Sequence, residues 1–246
     1  MARFDIIENS ISLSEPVLVE GLPGIGLVGK IVADHLVNTF EMKHYANVYC
    51  EGIPQTVTYQ PGQASVVTPV RLYADADRDL LVLQSDVPIT PQAAITFANC
   101  ISGWLTETNV LPIYLSGLPA QKQSEPPTMH GIGIGDGVSQ LESVGIDTPT
   151  EMGLVSGPTG ALLAHALEHH LDAIGLIVES DPQFPDPEAA RRVLVDGVGP
   201  LASVEIPTGE LVDRAEEIRS AREQLAQRMQ QADEESTKAH PLRMYQ

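Results

Sequence analysis

Lysine is nearly absent: only Lys30, Lys43, Lys122 and Lys238 occur among 246 residues. All bases together number 14 against 33 acids, a formal net charge of -19, so affinity for a phosphate backbone is excluded. Long apolar runs are missing too. The longest, Leu80 to Leu83 and Ala173 to Val178 among them, fall far short of the roughly 20 residues that cross a bilayer. The start MARFDIIENS lacks the basic-then-apolar pattern of a signal peptide, and a cytoplasmic protein with no membrane contact is expected. Cysteine is scarce, with Cys50 and Cys100 far apart in apolar surroundings and no second cysteine at metal or redox spacing. Both are expected to be buried, reduced thiols.

The surplus of acid is not concentrated in one patch. From Thr208 onward there are eight acids and six bases, so the excess lies across the preceding part of the chain. A spread of carboxylates with little lysine suits a cytoplasm of molar salt, where screening shrinks to about 3 Å and carboxylates keep the surface hydrated. A halophilic source is the expectation.

What is present reads as alternating strands and helices. PVLVEGLP is a buried strand running into glycines, and Leu27 to Phe40 is a helix with Val28, Ile31, Val32, Leu36 and Val37 at helical spacing. HYANVYC is a second strand, and Ile53 to Ser85 reads as a β excursion outside the core. Thr90 and Pro91 stand as N-cap and first residue of the next helix, and VLPIYLSG as the strand after it. Leu118 to Ile146 is rich in glycine, proline and polar residues; it predicts a loop, a strand around Met129 to Ile134 and a short helix. EMGLVSG (strand), PTGALLAHALEHH (helix) and DAIGLIVES (strand) follow, and Asp186-Pro187 opens a helix to about Leu201. The alternation predicts an α/β class with a mostly parallel sheet covered on both faces.

The boundaries expected are an α/β domain over 1–207, a helix over 208–232 and a flexible polar tail over 233–246. Leu211, Ala215, Ile218, Arg222, Leu225, Met229 and Ala232 alternate at spacings of four and three. A stripe this narrow fits pairing with a second helix, through Leu211, Ile218, Leu225 and Met229, as well as a helix laid on its own domain.

Three motifs carry chemical readings. Gly24-Ile25-Gly26-Leu27-Val28-Gly29 fits G-x-G-x-x-G after a strand, with Glu51 where a ribose-binding acid would lie, so a nucleotide-dependent enzyme is the alternative reading. Continued to Lys30 it also fits a phosphate loop, but Ile31 replaces the hydroxyl that would hold magnesium. Gly21-Leu22-Pro23-Gly24 lengthens the turn and Pro23 removes a donor, so Gly21, Gly24, Gly26 and Gly29 are read as structural. His165-x-x-Glu168-His169 has zinc-ligand spacing, but the histidines sit at a helix C-terminus, where the dipole already favours them; no metal and no cofactor is expected. Ser156-Gly157-Pro158-Thr159-Gly160 is no nucleophile elbow, and Thr159 is read as a helix cap.

Taken together, EGLPGIGLVGKIVADHL, LPIYLSG and GLVSGPTGALLAHAL resemble the proteasome assembly chaperone family in its archaeal form, over roughly residues 15 to 205. The resemblance implies a Rossmann-like three-layer fold, no catalytic activity, a homo-oligomer, and a C-terminal extension that docks on α-subunits of the proteasome core particle. The last residues, Met244-Tyr245-Gln246, are similar to the hydrophobic-tyrosine-any-residue terminus by which such proteins enter pockets between α-subunits. A terminal carboxylate can pair with a pocket lysine, while Tyr245 supplies a ring and Met244 an adaptable apolar side chain.

Overall fold

A computed structural model describes residues 3–59, 62, 64–120, 126–211 and 213. Ten strands are described: β1 (Arg3–Ile6), β2 (Val17–Gly21), β3 (Lys43–Tyr49), β4 (Thr58–Tyr59), β5 (Val66–Val67), β6 (Val70–Asp75), β7 (Leu80–Ser85), β8 (Leu111–Pro119), β9 (Met129–Ile134) and β10 (Ala173–Ser180). The helices are α1 (Val28–Thr39), α2 (Ala94–Thr108), α3 (Gly137–Ser143), α4 (Gly157–Glu168), α5 (Pro187–Val193) and α6 (Gly199–Ala202), with a π turn over Leu194–Val198 joining the last two.

Eight strands form one sheet in the order β1-β3-β6-β7-β2-β8-β10-β9. Its centre, β7-β2-β8-β10, is parallel, and β3 points the same way, so five strands run in one direction and three in the other. Successive side chains in a strand alternate between faces, which divides the core in two. Val19, Val82, Ile113, Ile174, Leu176 and Val178 pack under α1 and α5. Leu18, Leu81, Leu83 and Tyr114 pack under α2 and α4. The result is the three-layer α/β architecture expected from the alternation.

Several sequence expectations are corrected. The β excursion does not stay outside: β6 and β7 enter the main sheet between β3 and β2, and only β4 and β5 stand apart as a two-stranded ribbon. EMGLVSG is not a strand. Both sides of β10 are already occupied, by β8 and β9, and Met152 and Leu154 lie in irregular, unpaired chain at 101% and 99% exposure. Helix α2 begins at Ala94 with Ala93 as its N-cap; Thr90 and Pro91 instead start a tighter turn, with the N–H groups of Ala93 and Ala94 donating three residues back.

Cys50 and Cys100 are not free thiols; they form a disulfide. The chain leaving β3 passes over α2 and brings the two Cα atoms to 6.0 Å, inside the range a disulfide spans. Among the described residues no helix is long and apolar enough to cross a membrane. Leu211, placed on the oligomer stripe by its spacing, is buried in the same apolar cluster as residues of α1 and α5. Ile218, Leu225, Met229 and the terminal Met244, Tyr245 and Gln246 lie outside the described residues.

Candidate functional site

The glycine motif sits at the carboxyl edge of the sheet, between β2 and α1. A 3-10 turn over Ile25–Leu27 precedes the helix, and Gly26 (φ 61) and Leu27 (φ 51) are both left-handed, which is costly for a leucine and free for glycine. The glycines let backbones touch. A Cβ on Gly21 would stand 2.2 Å from the Ala33 Cβ, and one on Gly29 would stand 2.8 Å from the Leu22 carbonyl oxygen. At Gly26 a Cβ would lie 1.8 Å from the Ser180 Oγ, and the Gly26 carbonyl accepts a hydrogen bond of 2.8 Å from the Asp186 N–H. Gly24 faces open space.

The expected ribose acid is not beside this turn. β3 is separated from β2 by β6 and β7, so Glu51, exposed beyond the end of β3, is displaced sideways by three strand spacings, about 14 Å. Lys30 is not free to meet a phosphate either: its Nζ pairs with Asp34 and lies 3.4 Å from Asp86.

Beneath the turn lies a residue the motif reading passed over. Glu20, the penultimate residue of β2, is wholly buried. Its carboxylate accepts hydrogen bonds from the N–H groups of Leu22 (3.1 Å) and Leu115 (2.9 Å) and from the Thr159 hydroxyl (3.2 Å). Thr159 is therefore not the cap of α4, a position held by Ser156; one turn in, its hydroxyl reaches the acid. Glu20 thus ties β2, β8 and α4 together. Burial pushes its carboxyl up to about 7, against the lowering by these three donors. The Tyr114 hydroxyl is pushed up as well, by burial and then by the nearby Glu20 charge. The signal in the sequence was a lone acid inside VLVEG.

The sign of the resulting pH dependence is definite. Between the ordinary value of 4.5 and about 7 the folded chain keeps a proton that the unfolded chain releases, so this contribution to stability is full below pH 4.5 and lost as pH rises through 7. The loss is about 3 kcal/mol at 1.4 per pH unit. Glu20→Gln should remove this slope, read from urea unfolding at pH 5.5 and 8 for both chains; equal slopes would place the acid's titration elsewhere.

A second buried network adjoins the same edge. Arg71, 1% exposed, donates from Nε to the Tyr73 hydroxyl (3.2 Å), from Nη1 to the Thr68 carbonyl and from Nη2 to Gln84 Oε1 (2.7 Å). It also pairs with Asp86 at 2.7 Å. Gln84 in turn donates to Asp34, which holds Lys30, closing a circuit from β6 through β7 and α1 to the residue after β7. Burial works to raise the Asp86 carboxyl, but hydrogen bonding and the charge of Arg71 hold it below its usual value.

His165 and His169 end α4. The His165 Nδ1 lies 3.0 Å from Asn99 Oδ1, the His169 Nδ1 lies 3.0 Å from the His165 carbonyl oxygen, and the rings stack at 4.0 Å. Among the described residues no three His, Cys, Asp or Glu side chains gather as a metal-binding group.

These features define a class: a Rossmann-like three-layer α/β domain whose glycine turn receives its own chain, Ser180 and Asp186, over Gly26. Residues 18–226 match the PAC2 family, and the chain belongs to that family. It is similar in fold to the crystal structure of Pyrococcus furiosus PbaA, described as an archaeal homolog of proteasome-assembly chaperone, with a TM-score of 0.77 and 25% identity over 95% of this chain and 100% of that one. P. furiosus PbaB, an archaeal proteasome activator, aligns with a TM-score of 0.74 and 23% identity over 92% and 98%. In sequence it is 26% identical over 234 residues to the uncharacterized protein MJ0106 of Methanocaldococcus jannaschii, covering 94% of each chain.

Proposed function

We propose that this protein is a proteasome assembly chaperone or proteasome-binding adaptor, not an enzyme, that docks on α-subunits of the core particle through Met244-Tyr245-Gln246. The observation that carries the reading is the likeness to PbaA over that protein's whole length. The glycine turn supports it: Gly21, Gly26 and Gly29 are used for contact within the chain, and Ser180 and Asp186 stand against Gly26, where a pyrophosphate would approach in a dinucleotide site. In this reading several copies associate through the segment bearing Ile218, Leu225 and Met229 and present their termini together. Effective concentration then turns weak single contacts into useful avidity.

Tyr245→Ala should abolish binding to immobilised α-rings at molar salt while leaving the fold and oligomer unchanged, with light scattering as the control. One residue added after Gln246 should do nearly as much damage, because it displaces a terminal carboxylate whose charge-assisted contact is worth about 1.5 to 3 kcal/mol. Wild-type binding by the Tyr245→Ala chain would remove the docking role from the tail.

A further inference from the structure

The sequence gives His165 and His169 a role with the helix dipole; the geometry of their rings points to a second one. They stand four residues apart, on one face of a helix, and their imidazoles are 16° from parallel with centroids 4.0 Å apart. Each Nδ1 meets an oxygen that carries no proton, the Asn99 amide oxygen for one ring and the His165 backbone carbonyl for the other. Each Nδ1 must therefore be the protonated nitrogen, and each Nε2 keeps its lone pair. A ligating histidine is ordinarily oriented in this way, by an outer hydrogen bond that fixes both tautomer and ring plane. Neither Nε2 is engaged by another described residue. Asn99 belongs to α2, so the orientation of the first ring is set by a neighbouring helix and is invisible in the local spacing.

We propose that His165 and His169 form a two-imidazole site for a divalent transition cation of the copper, nickel and zinc class, with Asn99 as its positioning residue. Donors about 2.0 to 2.1 Å from a metal and at right angles lie about 3 Å apart, so the two rings must tilt out of their near-parallel stack to turn both Nε2 lone pairs onto one ion. With no third side-chain ligand among the described residues, water fills the remaining positions and the ion exchanges readily, unlike that of a closed structural zinc site. A bound ion also fixes the last turn of α4 against α2 through Asn99.

The test is calorimetric titration of the full chain with Cu2+, Ni2+ and Zn2+ separately at neutral pH. Wild type should bind one ion per chain in the order Cu2+ above Ni2+ and Zn2+, as nitrogen ligation requires. His165→Ala and His169→Ala should each weaken Ni2+ at least about tenfold, and Asn99→Leu should weaken it about tenfold, the usual lower effect of losing an outer-shell partner. Asn99→Asp, which keeps an oxygen acceptor, should restore it. Ni2+ should raise the melting temperature of wild type and not of the double His165→Ala, His169→Ala chain. Unchanged Ni2+ affinity in the double variant, or no wild-type binding tighter than millimolar, would overturn the site. Asn99→Leu binding as wild type does would remove Asn99 from it.

Discussion

Arg71→Met is expected to lower the free energy of unfolding by about 3 to 5 kcal/mol, the cost of removing one partner from a buried ion pair. The guanidinium is 1% exposed and reaches Thr68, Tyr73, Gln84 and Asp86 at once. A methionine fills much of its volume but leaves the Gln84 amide oxygen and the Thr68 carbonyl without that donor and Asp86 with Lys30 as its nearest cation. Arg71→Lys should recover little, because an ammonium cannot match the planar fork that meets acceptors on different sides. Adding Asp86→Leu to Arg71→Met should return part of the loss, since the stranded charge is then gone. Urea unfolding of the single and double variants reads all of this; a single variant within about 1 kcal/mol of wild type would mean that water replaces the lost partners.

Loss of the Cys50–Cys100 disulfide should be comparable. The bond closes a loop with a sequence separation of 50, for which the chain-entropy relation gives about 4 kcal/mol. Wild type melted with reductant should match the Cys50→Ala, Cys100→Ala chain, and that chain should not respond to reductant. If reductant shifts both equally, the bond is not the cause. If it shifts neither, the 51–59 segment and α2 hold together without it.

The elements most legible in the sequence were those whose apolar pattern is local. Strands β2, β8 and β10 and helices α1 and α4 emerged from buried runs or helical spacing, and Asp186 does cap α5, accepting from the Ala189 N–H at 3.0 Å. What failed depended on neighbours remote in sequence. EMGLVSG has a strand's composition but no vacant strand beside it, and Cys50 and Cys100 become partners only because β3 ends over α2. Glu51 seemed to follow the adjacent strand until β6 and β7 came between. Around the glycine turn the motif treated Gly21, Gly24, Gly26 and Gly29 alike, whereas a Cβ would be crowded at Gly21, Gly26 and Gly29 and meet open space at Gly24, and no local pattern says what approaches them. Thr159 and Leu115 meet Glu20 across separations of 139 and 95 residues, beyond the reach of any local pattern.

The contact between Gly26 and the Ser180–Asp186 segment bears on the order in which the molecule is finished during synthesis. The left-handed turn is synthesised well before its partners, since the donor for the Gly26 carbonyl is the Asp186 N–H and the side chain seated on Gly26 is that of Ser180. Until that later stretch emerges, the Gly26 turn lacks this cover and α1 lacks α5, the helix packed beside it. Contacts this distant in sequence are slow to form because loop closure comes before any stabilisation they bring. A nascent chain of this protein therefore carries the Gly26 turn without its partners until Asp186 has been made, with Val28 and Val32 in need of shelter.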